Sequence, residues 1–311
     1  MRSSLRRHNR GVALITVMLI VVLASAAVVA MTSRQQLDIR RTENTLQQAQ
    51  AQMYLLGIEQ WVRHILSEDR RNNETDHLGE AWATRVPSMP VEGGSLDGYV
   101  EDLQGRFNLN NLSQGGDAGK AAMEQFQRLL KTLGLKEGLA TTIKDWVDVD
   151  METSFPDGAE DMYYLGLSPA YRTANRLMIS PSELLLLKEV TIEDYETLLP
   201  HVCTLPTVTP VNINSATAEV LTSITEDLSL VQMQSIVDAR EDDPFEDVDE
   251  LLSNTLFAGK EIPENLLSVS SSFFVLRSEA KIGHLRQKMN VVYERDTEGK
   301  IYSIMRAQGE I

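Results

Sequence analysis

The 311-residue sequence predicts an α+β protein in which one long N-terminal helix packs on a small antiparallel sheet and a large all-α insertion interrupts the strands. Three observations predict it. An uncharged run, Val12 to Met31, passes without a Pro or Gly break into an amphipathic helical pattern. Strand-like alternation occurs at Leu96 to Leu103 and three more times after Val269, with helical patterns between. The hydrophobic content, 42%, is enough for a real core, and the length corresponds to about two domains.

Val12 to Met31 would be about 30 Å long as a helix, enough to cross a hydrocarbon core. Before it stands MRSSLRRHNRG, whose Arg2, Arg6, Arg7 and Arg10 favour a cytoplasmic N-terminus, placing the bulk of a single-pass chain on the far side of the membrane. Arg34, Arg40 and Arg41 weaken this asymmetry without reversing it. A secretory signal has a shorter apolar core, and Ala24-Ser25-Ala26 offers a cleavage site of that kind, but the apolar run continues past it. An uncleaved signal anchor is the other alternative.

The leader followed by RG-VALITV resembles the cleavage region of type IV pilin and pseudopilin precursors, whose peptidase cuts after the glycine. The resemblance implies a scissile bond between Gly11 and Val12, a prepilin peptidase as processing partner, and an apolar segment that stays on the mature protein and packs into a filament. Most members carry Glu as the fifth mature residue, paired with the free amino terminus of a neighbour; here that residue is Thr16. A subunit lacking the carboxylate has no predecessor to pair with, which marks the filament tip. Thr16 equally suits a small polar residue bonding back to its own helix.

From Thr32 to about Arg70 the helical pattern continues through Leu46, Ala49, Met53, Leu56, Trp61, Ile65 and Leu66, interrupted only by Gly57. The turn-rich VPSMPVEGGS follows, and Gly93-Gly94 leads into the first strand. At the C-terminus SSFFVLRSEAKI, LRQKMNVVYER and KIYSIMRA read as strands, the last two joined across Asp296-Thr297-Glu298-Gly299. The divisions expected are a leader at 1–11, a transmembrane helix at 12–31, amphipathic helix and first strand at 32–103, a helical insertion at 104–265 and closing strands at 266–311.

The insertion contains a weak repeat: FNLNNL (107–112) and VNINSA (211–216) each precede two helical patterns. The second unit resembles the helix-hairpin-helix family, with Arg240 to Phe245 as its R-x-x-x-x-F element, so two helix-hairpin-helix or SAM-like units are expected. Asn212 and Asn214 are expected to cap the following helix and satisfy loop carbonyls. Where DNA-binding members carry a Gly-rich turn, this chain has Thr225-Glu226-Asp227-Leu228-Ser229. Net charge is −16, and −20 once the four leader arginines are removed, so phosphate backbones are repelled and no nucleic-acid partner is expected. The single cysteine, Cys203, allows no internal disulfide, leaving packing or metal to stabilise the fold.

One cluster rises above the acidic background: Asp145, Asp148, Asp150 and Glu152, then Asp157, Glu160 and Asp161 ahead of Tyr163 and Tyr164. Carboxylates this dense repel unless solvent or a cation separates them, and Ca²⁺ takes six to eight such oxygens. A plain solvated loop is the alternative. The spacing is not that of an EF-hand, since Thr153 and Ala159 stand where its Gly and Glu would fall.

DLQGRFNLN, DWVDVD, GAED and the following Tyr resemble the K-type minor pseudopilins of type II secretion systems, across essentially the whole chain. The resemblance implies a pilin-like domain with a calcium-binding helical insertion. It puts Asp148, Asp150, Glu160 and Asp161 in ligand positions, with Asp145, Glu152 and Asp157 weaker. It implies a tip component that caps the pseudopilus and helps start its assembly for export of folded exoproteins. The partners it implies are the other minor pseudopilins (I and J types, with H), the pseudopilus itself, and exoproteins or the outer-membrane secretin. A DNA-uptake pseudopilin and a signal-anchored periplasmic binding protein are the rival readings. No enzyme is expected: His201-Val202-Cys203 is the one tempting pair, and in extended chain its side chains point apart.

Overall fold

The computed structural model describes residues 9–260 and 262–308. Arg2, Arg6 and Arg7 of the leader lie outside the described residues. In chain order the elements are α1 (Asn9–Asn72), β1 (Val86–Val91), β2 (Gly94–Asp102), β3 (Phe107–Asn108), α2 (Gly116–Thr132), α3 (Leu139–Val147), α4 (Asp161–Tyr164) and α5 (Ile192–Leu198). They continue as β4 (Val202–Cys203), β5 (Val211–Asn212), α6 (Ala218–Thr222), α7 (Leu230–Asp242), α8 (Val248–Leu252), β6 (Leu267–Ser268), β7 (Phe273–Ile282), β8 (Leu285–Arg295) and β9 (Ile301–Ala307). A long helix packed on a small antiparallel sheet, with a large helical insertion, is the architecture expected.

α1 is one unbroken helix of 64 residues. Its apolar first part is exposed and is long and apolar enough to cross a membrane. The second part buries Ala51, Leu55, Val62 and Leu66 against the sheet residues Leu96, Phe274, Leu276, Val291 and Tyr293. The phase of this stripe differs from the sequence expectation: Leu46, Met53, Leu56 and Trp61 are exposed, on the opposite side at about 100° per residue. Glu59 lies within the buried stripe and breaks its apolar pattern. Its carboxylate accepts hydrogen bonds from Arg306 at 2.7 and 2.8 Å and from Ser303 at 2.9 Å. Gly57 does not interrupt the helix, and a Cβ there would meet open space.

The sheet runs β1-β2-β7-β8-β9, antiparallel throughout. VPSMPV, expected as a turn-rich connector, is instead edge strand β1. An edge pairs on one side only, so Pro87 and Pro90 are tolerated, and the register shifts between Val86 and Met89. Gly93 turns the chain at φ +82, and a Cβ on Gly94 would lie 1.7 Å from the Lys281 carbonyl oxygen, so the hairpin requires this pair.

Both repeat units share one core, in which Phe107 stacks on Phe126 at 4.9 Å beside Ile143, Trp146, Ile213 and Leu221. β3 pairs with β4, and β5 with β6, both parallel. In each unit the first Asn accepts from the second: Asn108 Oδ1 from Asn110 N–H at 3.1 Å, Asn212 Oδ1 from Asn214 N–H at 3.0 Å. The second Asn then grips a distant backbone through both N–H and C=O, Asn110 at Met178 and Asn214 at Phe245. Loop carbonyls are thus satisfied as expected, but α6 is capped by Thr217 rather than by an asparagine.

Candidate metal centre

α3 ends in Asp145-Trp146-Val147, with Asp148 as its C-cap. Trp146 packs edge-on against Tyr164 of α4 at 5.3 Å, which fixes the two ends of the acidic loop together. Inside, Asp145 is fully buried and its Oδ2 accepts the Ser154 N–H at 3.0 Å. Gly158 presses against it, leaving no room for a Cβ, which would fall 2.1 Å from that oxygen. Asp148 and Glu160 are buried beside it.

Six buried oxygens here have no hydrogen-bond partner: Asp145 Oδ1, Asp148 Oδ1, both Glu160 carboxylate oxygens, Thr173 Oγ1 and Asn175 Oδ1. The Thr173 hydroxyl stands beside Glu160 without the geometry of a full hydrogen bond. Thr173 N–H donates to Asp161 Oδ1 at 3.1 Å and Asn175 Nδ2 to the Asp150 carbonyl at 2.8 Å, which draws this second segment onto the loop. An orphaned buried polar atom costs roughly 1–3 kcal/mol, more when charged, though these carboxylates do not meet the mutual 4.8 Å spacing that, among the described residues, Asp69, Asp76 and Glu80 meet. Burial pushes Asp148 up to about 6, with Asp150 adding to the shift, and burial also raises Glu160.

The remaining expected ligands lie outside this pocket. Asp150 is exposed and its Oδ1 accepts the Glu152 N–H at 2.8 Å. Asp161 is half-buried and lies 3.7 Å from Arg172. Glu152 and Asp157 are exposed, and Asp157 contributes a carbonyl that accepts from Thr142 Oγ1 at 3.1 Å. Thr173 and Asn175 escaped the sequence reading, being neutral and more than ten residues away. The TAN triplet after Tyr171 was the only available signal.

A second acidic group went unread. Asp69, Asp76 and Glu80 bring oxygens within 4.8 Å of one another, a spacing that could hold a metal ion. Arg295 already reaches them, 3.2 Å from Asp69 and in close contact with Asp76. Burial pushes Asp69 up to about 6, with Glu80 and Asp76 adding to it and Arg295 opposing. These residues come from α1, the loop after it and β8, so no local pattern announces them. Elsewhere, burial pushes the Cys203 thiol up to about 12, and His201 Nδ1 lies 3.1 Å from Thr217 Oγ1. That pair is not arranged for nucleophilic chemistry.

Two family models, both described as type II secretion system protein K, match residues 105–207 and 211–270. The chain is 38% identical to the type II secretion system protein K of Pseudomonas aeruginosa, covering 98% of this chain and 95% of that one. It is 32% identical to the protein of the same name from Aeromonas hydrophila, over 97% and 98%. The chain belongs to the type II secretion system protein K family. A solved structure, that of the GspK-GspI-GspJ complex from enterotoxigenic Escherichia coli, contains a chain that aligns with a TM-score of 0.78 at 26% identity, covering 87% of this chain and all of that one. Protein K is a minor pseudopilin, the tip component of the secretion pseudopilus, and its role is structural rather than catalytic.

Proposed function

We propose that this tip subunit is held in the inner membrane by residues 12–31 with its N-terminus cytoplasmic, after prepilin peptidase cuts between Gly11 and Val12. The mature amphipathic helix with its first strand (32–103) and the closing strands (266–311) then form a pilin-like body, and residues 104–265 the cap. The observation that carries this reading is the likeness to protein K over 98% of the chain. Thr16 offers no carboxylate to a preceding subunit, in keeping with a terminal position. Its hydroxyl donates to the Ala13 carbonyl at 2.9 Å, so this donor is satisfied within its own helix.

I- and J-type minor pseudopilins are the partners of choice, because the solved relative is named in complex with them. Leu46, Met53 and Trp61, on the face of α1 turned away from the sheet, supply apolar surface for their helices. The two repeat units act as helix-hairpin-helix modules adapted to protein packing. Arg240 donates to the Ile213 and Ala216 carbonyls within its own unit, and Asp227 at φ 63 occupies the left-handed turn position that favours glycine. That acidic turn repels DNA.

The acidic loop binds structural Ca²⁺ through Asp148 and Glu160, with Asp150 and Asp161 completing the set from the rim, Asp145 within reach, and Glu152 and Asp157 peripheral. N-terminal sequencing of the membrane-extracted protein tests the anchor: Val12 is expected, whereas Ala27 means a secreted product and Met1 an uncleaved anchor. Co-purification with I- and J-type subunits tests the tip assignment, and its absence removes it. Chelation of the purified protein is expected to lower its Tm, and an unchanged melt with no metal found removes the ion.

A further inference from the structure

We propose that a cavity between the sheet and the insertion is a docking site for an extended segment of a partner protein, one carrying an acid and a base four residues apart with an apolar residue midway. The cavity lies on the sheet face turned away from α1 and has a volume of about 430 Å³. Val275, Val292 and Met305 line it from the sheet, and Leu177, Pro181 and Leu199 from the insertion. A mainly apolar lining with a few polar groups is the character of ligand sites of this size. The β8–β9 register shifts between Val292 and Tyr293, and the consecutive Ile304 and Met305 both line the cavity, which plain strand alternation would not allow. At its rim Ile179 is 57% and Ile304 41% exposed, and contiguous apolar surface left bare marks an interaction site.

The charged lining residues stand at opposite ends. Arg277 pairs with Asn290 across β7 and β8, and Glu294 lies four residues further along β8 on the same face. That places the two roughly 13 Å apart, with the Val275–Val292 pair between them. At one end Arg277 Nε and Arg106 Nη2 both donate to Glu101 Oε2, at 3.1 and 3.0 Å, so two cations share one anion. At the other end Glu294 has no ion pair among the described residues. Neighbouring charges cancel: Arg176, next to Leu177, lies 3.7 Å from Glu183, and beyond Arg277 the cross-strand pair of Glu279 and Lys288 follows.

This separation of charge selects the occupant. A fatty acid brings one anion and leaves Glu294 unmatched, and a zwitterionic phospholipid head holds its two charges only two carbons apart. In an extended peptide the side chains at i, i+2 and i+4 share one face, and the outer two lie about 13 Å apart. An acid at the arginine end, an apolar residue over Val275 and Val292, and a base at Glu294 match the cavity in order. Complementary charge then fixes the direction of the segment, while the buried apolar side chain supplies affinity.

The test uses the full-length chain in lipid nanodiscs with two capped peptides, Asp-Thr-Leu-Thr-Lys and its reverse, Lys-Thr-Leu-Thr-Asp. Wild type is expected to bind one order about tenfold more tightly than the other and than Gln-Thr-Leu-Thr-Gln. The variant R277E/E294K, which exchanges the charged ends, should reverse that preference. Arg277→Gln and Glu294→Gln should each erase it, and they carry the test if the double variant fails to fold. Equal affinity for the three peptides, no binding of any, or an unchanged preference in the variants would each overturn the proposal. In cells, a photo-reactive benzoylphenylalanine in place of Ile304 should link to a segment that carries an acid and a base four residues apart. Links only to lipid, to a second copy of this chain or to segments without that spacing would overturn it as well. Peptide binding is read on the isolated chain, so its failure and a failure of the tip assignment are distinguishable.

Discussion

Glu160 illustrates how a single buried acid can change sign with its surroundings. Burial raises its pKa, Asp145 and Asp148 add to the rise, and neither of its oxygens has a hydrogen-bond partner. A folded-state pKa above the unfolded value means that ionising the group disfavours the fold. For Asp148 that penalty grows as pH rises from near 3.8 through about 6. Calcium reverses the balance because it needs the ionised form. Glu160→Gln is therefore expected to raise the Tm of metal-free protein at pH 7.5 while abolishing any increase on adding calcium. Wild-type calcium affinity, followed by titration calorimetry, should fall as pH drops through about 6. Equal affinity at pH 5 and 7.5 would count against these ligands. The acidic cluster that holds Asp148 and Glu160 stood out in the sequence because carboxylates are dense there, while their choice within it came from the family resemblance. Thr173 and Asn175 did not stand out, because a neutral oxygen becomes a candidate ligand only when folding buries it without a partner.

At the scale of elements, α1 carries two apolar faces and one sheet to receive them. The helical period could be read from the sequence. The phase could not, because the buried stripe contains Glu59, whose partners Ser303 and Arg306 lie more than 240 residues away. Burial of Leu55 and exposure of Met53 predict opposite results from similar changes. Leu55→Ala should cost roughly 2–5 kcal/mol of stability, as core truncations do. Changing Leu46, Met53 and Trp61 together to Ser should leave the melt nearly unaltered, since exposed substitutions are usually within about 0.5 kcal/mol each. The same triple variant should lose co-purifying I- and J-type subunits. A stable variant that still retains them would show that their helices dock elsewhere. β1 was hidden for a related reason, since its two prolines read as turn residues until the edge position makes them permissible.

In the molecule as a whole, the insertion joins the helix-and-sheet body through a buried polar clamp that no local segment encodes. Asn212 of the second repeat donates to the Asp76 carbonyl at 2.9 Å, to Asp102 at 2.9 Å and to Ser271 at 3.0 Å. Arg295 on β8 closes the other side, bonding Asp76, Asp69 and the Ser271 carbonyl. The order of elements in the sequence implied an insertion, but the clamp draws on six separate segments and was invisible there. Removing Arg295 leaves Asp76 buried and uncompensated, and breaking such a pair typically costs about 3–5 kcal/mol. The loss should also depend on pH. Asp69 already ionises near pH 6 with the guanidinium opposing its rise, so without that cation its folded pKa climbs further and the penalty is greatest at high pH. Arg295→Met should therefore destabilise the protein more at pH 8 than at pH 5, as read by denaturant midpoints. Adding Asp76→Asn, which deletes the stranded charge, should recover part of the loss. A pH-independent loss, or no recovery by the second change, would mean that Arg295 acts through packing against the Phe274 ring, 4.8 Å from its guanidinium, rather than through charge.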